Sequence, residues 1–157
     1  YIGLDVSYHI ARNFSDRLSR DYEPARWLKV KVDAGELGKK TGKGIYDWSK
    51  GRPEIDLSKA KEDFDPTVFT ALQVNEATKL LEEGVVKSPD DVDKAMVNGG
   101  GVAAGPFRLA SEIGYDKLAG ICAELARKFA VKVFEPTRIL KQGRLPYTPP
   151  PPPKDFL

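Results

Sequence analysis

The stretch "IGLDVSYHIARNFSDRLSRDYEPARWLK", Ile2 to Lys29, has a second, altered form in the same chain: "IGYDKLAGICAELARKFAVKVFEPTRILK", Ile113 to Lys141. Ile2-Gly3-x-Asp5 matches Ile113-Gly114-x-Asp116. Tyr22-Glu23-Pro24-x-Arg26-x-Leu28-Lys29 matches Phe134-Glu135-Pro136-x-Arg138-x-Leu140-Lys141, with one inserted residue between the two blocks. Each copy reads as a helix start, a helix of about 14 residues and a second helix start at Glu-Pro. Gly, Asp and Pro are the residues that punctuate helices, so their return at the same places argues for a repeated helical module.

Helix punctuation continues between the copies. Asp65-Pro66 reads as an N-cap with Pro at the first helical position, ahead of Phe69, Leu72, Ala77, Leu80 and Leu81 near helical spacing, and Gly84 stops that helix. Ser88-Pro89-Asp90-Asp91 starts another, with Ser88 as cap, Asp91 at the box position, and Val92, Ala95 and Met96 on one face. Gly99-Gly100-Gly101 ends it, and Gly105-Pro106 opens a short turn of helix. Asp116 is the expected cap of a helix carrying Leu118, Ile121, Cys122, Leu125 and Phe129, and Gly143 stops a last short helix begun at Glu135-Pro136. "WLKVKVDA" alternates like a strand, but it follows a Glu-Pro start and ends before Gly35, so it reads as helix. The fold class expected is all-α. Five consecutive prolines, Pro149 to Pro153, predict a polyproline II spacer of ~3.1 Å per residue.

Composition narrows the functions. Lysine and arginine total 25 against 23 acidic residues, a balance that does not suit nucleic-acid binding. One cysteine, Cys122, excludes an internal disulfide framework and points to a reducing compartment, read as the cytoplasm with an organelle matrix left open. No apolar run approaches the roughly 20 residues of a membrane span. No cluster with metal-ligand spacing stands out, and His9 has no cysteine or second histidine to join it.

The segment "GELGKKTGKGIYDW", Gly35 to Trp48, holds four glycines and three lysines. It is not a P-loop, because its glycine spacing is too short and no hydrophobic strand precedes it. Its glycines permit left-handed backbone, while Ile45, Tyr46 and Trp48 pin the loop to helices. Gly99-x-Gly101-x-x-Ala104 resembles a dinucleotide fingerprint but follows a helix pattern instead of a strand.

Two motifs carry a family resemblance. "NEATKLLEEGVVKSPDDVDKAMVNGGGVAAGPFRLASEIGYD", residues 75–116, and "GELGKKTGKGIYDW" resemble the long signature and the closing motif of the C-terminal helical domain of the 3-hydroxyacyl-CoA dehydrogenases. The resemblance implies tandem helical modules of that type, like the C-domain of 6-phosphogluconate dehydrogenase, with the first copy truncated. Residues 1–50 would be the tail of the first module, 51–63 a linker, 64–146 the second module, and 147–157 a proline-rich joint to a following domain. Such tandem domains occur in multifunctional fatty-acid oxidation enzymes and in fusions with an enoyl-CoA hydratase domain.

That family oxidises 3-hydroxyacyl-CoA to 3-oxoacyl-CoA, passing hydride to NAD. The NAD, the catalytic histidine and its glutamate partner belong to an N-terminal Rossmann domain, so the resemblance implies no catalytic residue in this chain. The 157-residue chain alone is then expected to be inactive and to bind no NAD. The second lysine of the Gly-Lys-Lys-Thr-Gly loop, here Lys40, is the implied NAD contact in the intact enzyme. Copy two departs from the pattern: it has no such loop, Thr67 stands where the substrate-holding asparagine falls, and Val102-Ala103-Ala104 replaces His-Pro-Met. It is therefore expected to be a scaffold that packs on copy one about a pseudo-two-fold axis, since Phe14, Leu18, Trp27 and Leu28 need a partner surface. The incomplete first copy is also expected to support self-association. The alternative reading is a non-catalytic helical docking or dimerisation module.

Overall fold

The computed structural model describes residues 1–59 and 65–145. The proline tail and the end of the 51–63 connection, read above as polyproline II and linker, lie outside them. The chain divides into two compact units, Tyr1–Glu62 and Asp63–Leu157. Unit 1 holds helices α1 (Leu4–Arg17) and α2 (Arg26–Asp33); unit 2 holds α3 (Thr67–Glu82), α4 (Pro89–Gly100), α5 (Pro106–Ile113), α6 (Tyr115–Phe129) and α7 (Arg138–Lys141). Among the described residues there is no strand, only isolated bridges at Gly38–Lys43 and Lys43–Asp47. "WLKVKVDA" is helical, as its Glu-Pro start predicts.

In unit 2, α3 packs against α5, α6 and α7. Val74, Phe107, Leu118, Cys122 and Leu140 are fully buried there. The face α3 buries is Ala71, Val74, Asn75 and Thr78, the i, i+3, i+4, i+7 stripe of a helix. Of the apolar face expected from the sequence, Ala77 is buried and Leu72 and Leu81 pack against the core, but Phe69 is 64% exposed and Leu80 is at the surface. The stripe is half polar, and its polar members are satisfied. Asn75 donates from Nδ2 to the carbonyls of Glu135 (3.0 Å) and Val133 (3.4 Å) and accepts at Oδ1 from the Thr137 amide (2.9 Å). The hydroxyls of Thr78 and Thr137 lie 2.7 Å apart. A buried amide with partners of this kind costs little, whereas one left unpaired costs about 1–3 kcal/mol.

The caps explain most helix starts. Ser88 Oγ accepts from the Asp91 amide with Pro89 at the first helical position. Asp65 Oδ1 accepts from the Thr67 amide at 2.8 Å, although the helix begins one residue later than the Pro66 position expected. Asp116 does not cap α6. Gly114 holds the cap position with φ 101°, no side chain bonds there, and the Asp116 carboxylate instead lies where a Cβ on Gly143 would sit. Asp93 does cap a helix from a distance: its two oxygens accept from the Phe107 and Arg108 amides, each at 2.9 Å, at the start of α5.

The repeated stretches share local geometry. Gly3 (φ 122°, ψ 131°) and Gly114 (φ 101°, ψ 127°) precede α1 and α6. A 3-10 turn follows each long helix, at Arg20–Tyr22 and Lys132–Phe134, and then Glu23 (ψ 131°) and Glu135 (ψ 128°) turn the chain alike. The inserted residue is absorbed at the end of α6, which runs 15 residues against 14 for α1. The exit then passes through Ala130 in the left-handed region (φ 54°), where copy one leaves through right-handed Leu18.

Unit 1 buries less. Leu28 is buried, so it does not await a partner surface as expected, while Phe14, Leu18 and Trp27 are exposed. Its α1–α2 corner is fastened by Glu23, which accepts from Ser15 Oγ at 2.8 Å and from Arg12 Nη1 at 2.9 Å.

Candidate functional site

The loop after α2 is built almost entirely from its own backbone. Gly35 (φ 70°) ends α2: its amide donates to the Val32 carbonyl and the Glu36 amide to that of Lys31, both at 2.9 Å, the paired bonds of a glycine-terminated helix. Thr41 Oγ1 accepts from the Leu37 amide at 2.9 Å and lies 3.1 Å from the Lys43 carbonyl. The Gly38 amide donates to Lys43 O at 2.6 Å, and the Trp48 amide to Gly42 O at 2.9 Å. Gly44 rests on the Gly38 backbone, where any Cβ would come within 2.7 Å of Gly38 Cα. Gly44 is thus required by the close approach of the two sides of the loop, and Gly38 by its own backbone, at φ 104°. The Leu37 carbonyl then accepts from the Leu4 amide at 3.0 Å, capping α1 from the loop in place of a side chain.

Each lysine of the loop has a local partner. Lys31 Nζ bonds Glu36 Oε2 (2.8 Å) and the Gly44 carbonyl (3.0 Å), and Lys43 Nζ takes Glu36 Oε1 (2.7 Å). The hydrogen bond from Lys31, then that from Lys43, holds the Glu36 carboxyl at about 2. Lys39 Nζ sits 3.3 Å from the Tyr1 hydroxyl and 4.7 Å above its ring. Lys40, the implied NAD contact, pairs with Asp5 Oδ2 at 2.5 Å, and the Lys40 bond is the largest cause lowering the Asp5 pKa.

Beside the loop lies a cleft of about 920 Å³ whose lining includes Tyr1, Leu37, Lys39, Tyr46, Trp48 and Arg52. Lys39 lines it and Lys40 does not. Lys40 stands on the 3-10 turn Lys39–Thr41, its side chain 47% exposed, so its ammonium can reach a ligand while still held by Asp5. That geometry fits a contact at the edge of a dinucleotide. It is not a cradle, and Gly99-x-Gly101-x-x-Ala104 supplies none: it runs off the end of α4 with Gly101 left-handed. Thr67 uses its amide on Asp65, and Val102-Ala103-Ala104 joins α4 to α5 without a titratable side chain. His9 is exposed on α1, edge-on to Tyr8 at 5.7 Å. Among the described residues no group of three or more His, Cys, Asp or Glu could hold a metal ion.

The sequence reading missed Asp5, Glu36 and Asn75. Asp5 and Glu36 carry no spacing signal toward lysines 35 and 7 residues away. Asn75 was visible only as a polar residue on an otherwise helical face.

Comparison with known proteins identifies the architecture. The family model for the 3-hydroxyacyl-CoA dehydrogenase C-terminal domain matches residues 1–48 and 68–145. The chain is 29% identical to a fatty acid oxidation complex subunit alpha from Psychrobacter sp. (strain PRwf-1), over 80% of this chain and 21% of that protein. It therefore spans about a fifth of that relative's length. The crystal structure of 3-hydroxybutyryl-CoA dehydrogenase from Escherichia coli K12 has the same fold, with a TM-score of 0.73 at 18% identity, over 90% of this chain and 48% of that one. With seven α-helices among the described residues, both copies of the repeat inside the matched segments and the lysine loop at its place in the first, the chain belongs to the 3-hydroxyacyl-CoA dehydrogenase family, through its C-terminal helical domain.

Proposed function

We propose that this chain is the C-terminal part of an NAD-dependent 3-hydroxyacyl-CoA dehydrogenase of fatty-acid oxidation. The observation that supports it is the match of two successive segments to one C-terminal domain family, the first ending in an intact Gly-Lys-Lys-Thr-Gly loop. NAD, when bound, accepts the hydride. A Rossmann domain of the same protein holds it and supplies the catalytic histidine and glutamate. This chain contributes Lys40, whose half-exposed ammonium, held by Asp5 on the turn next to the cleft-lining Lys39, meets the cofactor's oxygens. The second module is a scaffold, and the proline stretch leads to an enoyl-CoA hydratase domain. That the match takes up about a fifth of the fatty acid oxidation relative supports a multidomain setting. The compartment is the reducing cytoplasm, which suits Cys122, a buried thiol whose pKa burial pushes up to about 11.

In the full-length enzyme, Lys40→Ala is expected to raise KM for NAD about ten- to a hundredfold, the loss of one charge-assisted contact of ~1.5–3 kcal/mol, with kcat and helical content little changed. An unchanged KM would remove Lys40 from the site. One observation favours the docking-module reading: Val6, Ile10, Phe14 and Leu18 form an i, i+4 stripe on α1, each at least 37% exposed. That reading predicts a full-length protein without dehydrogenase activity.

A further inference from the structure

We propose that Asp5 is a positioning residue for the cofactor contact: its carboxylate, on the first turn of α1, fixes the direction in which the Lys40 ammonium is presented from the Lys39–Thr41 turn. The inference rests on Lys40 being that contact. Lys40 carries four rotatable bonds on a turn that also offers the carboxylates of Glu36 and Asp47. Both are engaged elsewhere, Glu36 by Lys31 and Lys43 and Asp47 by the Ser49 amide at 2.9 Å. Asp5 alone is turned to Lys40. Its Oδ2 takes the ammonium at 2.5 Å, and its Oδ1 is packed against Gly3. A Cβ on Gly3 would come within 2.7 Å of that oxygen and 3.4 Å of Lys40 Nζ and so would displace the pair, and the φ of 122° at residue 3 itself favours glycine. The Leu4-to-Leu37 backbone bond fixes the helix start against the loop, which sets the distance the pair spans. Copy two supplies the contrast. Its Asp116 occupies the same place in the repeat, no lysine loop follows it, and its carboxylate lies against Gly143 instead.

Two measurements decide it. In the 157-residue chain, carbon-13 NMR of the Asp5 carboxyl is expected to show titration below the ordinary aspartate range, returning to that range in Lys40→Ala. An ordinary titration in the unaltered chain would overturn the proposal. In the full-length enzyme, Asp5→Asn is expected to raise KM for NAD about five- to twentyfold through loss of side-chain ordering, with kcat within about twofold. Asp5→Glu is expected to recover part of the loss, and Asp5→Asn combined with Lys40→Ala to equal Lys40→Ala alone. If Lys40→Ala raises KM and Asp5→Asn does not, or if the two effects add, Asp5 does not position the lysine. If Lys40→Ala itself changes nothing, the cofactor reading fails and takes this inference with it.

Discussion

Copy one and copy two of the repeat start from the same punctuation and reach stability by different means. In copy two the long helix α6 buries Leu118 and Cys122 against α3, and the short helix α7 buries Leu140. The positions equivalent to Leu118 and Cys122 in copy one are Ser7 and Ala11, and α1 instead is held by hydrogen bonds and ion pairs: Leu4 to the Leu37 carbonyl, Asp5 to Lys40, Glu23 to Arg12 and Ser15. Apolar burial is worth ~25 cal/mol per Å² and is indifferent to pH, whereas half-exposed ion pairs are worth ~0–1 kcal/mol each and are screened by salt. One backbone plan thus serves as a packed support in unit 2 and as the foundation of a charged, glycine-shaped loop in unit 1.

The sharpest way to break this comparison is to delete equivalent side chains. Leu118→Ala is expected to destabilise unit 2 by about 2–5 kcal/mol, since it leaves a cavity in a filled core. Its counterpart Ser7→Ala, exposed on α1, should stay within about 0.5 kcal/mol. Urea denaturation of both variants measures the difference, and equal effects would mean that α1 and α6 are used alike after all.

A smaller effect tests how the inserted residue is absorbed. Ala130→Gly is expected to stabilise unit 2 by up to ~1 kcal/mol, because glycine adopts the left-handed exit from α6 without the strain alanine bears. The equivalent change in copy one, Leu18→Gly, sits at a right-handed residue and should give no gain. Thermal melts of the pair check the contrast.

The smallest effect concerns charge. Glu36 has its pKa lowered from 4.5 to about 2 by Lys31 and Lys43. A carboxyl with a depressed folded-state pKa stabilises above its unfolded value, so its contribution is complete above pH 4.5 and is lost as the pH falls toward 2. Glu36→Gln should flatten that part of the acid limb for unit 1. Leu118→Ala should lower the whole curve of unit 2 without changing its shape. Acid titration followed by the fluorescence of Trp27 and Trp48, both in unit 1, reads the first effect directly.

Much of the fold was legible because helix boundaries are local. Ser88-Pro89, the Gly99–Gly101 stop and Gly105-Pro106 act through residues at most a few positions away, and each is found where the sequence puts it, whereas the helices expected at the two Glu-Pro pairs start two residues beyond the prolines, at Arg26 and Arg138. What was illegible is long-range. The choice of Ala71, Val74, Asn75 and Thr78 over Phe69 and Leu80 as the buried face depends on where Thr137 and Leu140 arrive, and a count of apolar residues cannot see it. Asp5 and Asp116 looked like caps because aspartate favours helix starts. The glycine before each already holds the cap position, which frees the carboxylate for other partners. At the loop, the glycines announced tight backbone, but the partners of Lys39 and Lys40, Tyr1 and Asp5, come from the start of the chain and are brought there only by the three-dimensional fold.

The bonds of Asn75 set a schedule for the chain as it is made. Asn75 is joined to the amide of Thr137, 62 residues later. At a synthesis rate of about 5–20 residues per second, that interval of 62 residues lasts about 3–12 s. Through that time the polar stripe of α3 has been translated while its partners have not, and it must stay hydrated. Unit 1 closes sooner, because its long bonds, Leu4 to Leu37 and Asp5 to Lys40, are complete once the lysine loop is translated. The nascent chain therefore finishes its lysine loop first and seals the core of unit 2 last, with Thr137 as the residue that licenses the second event.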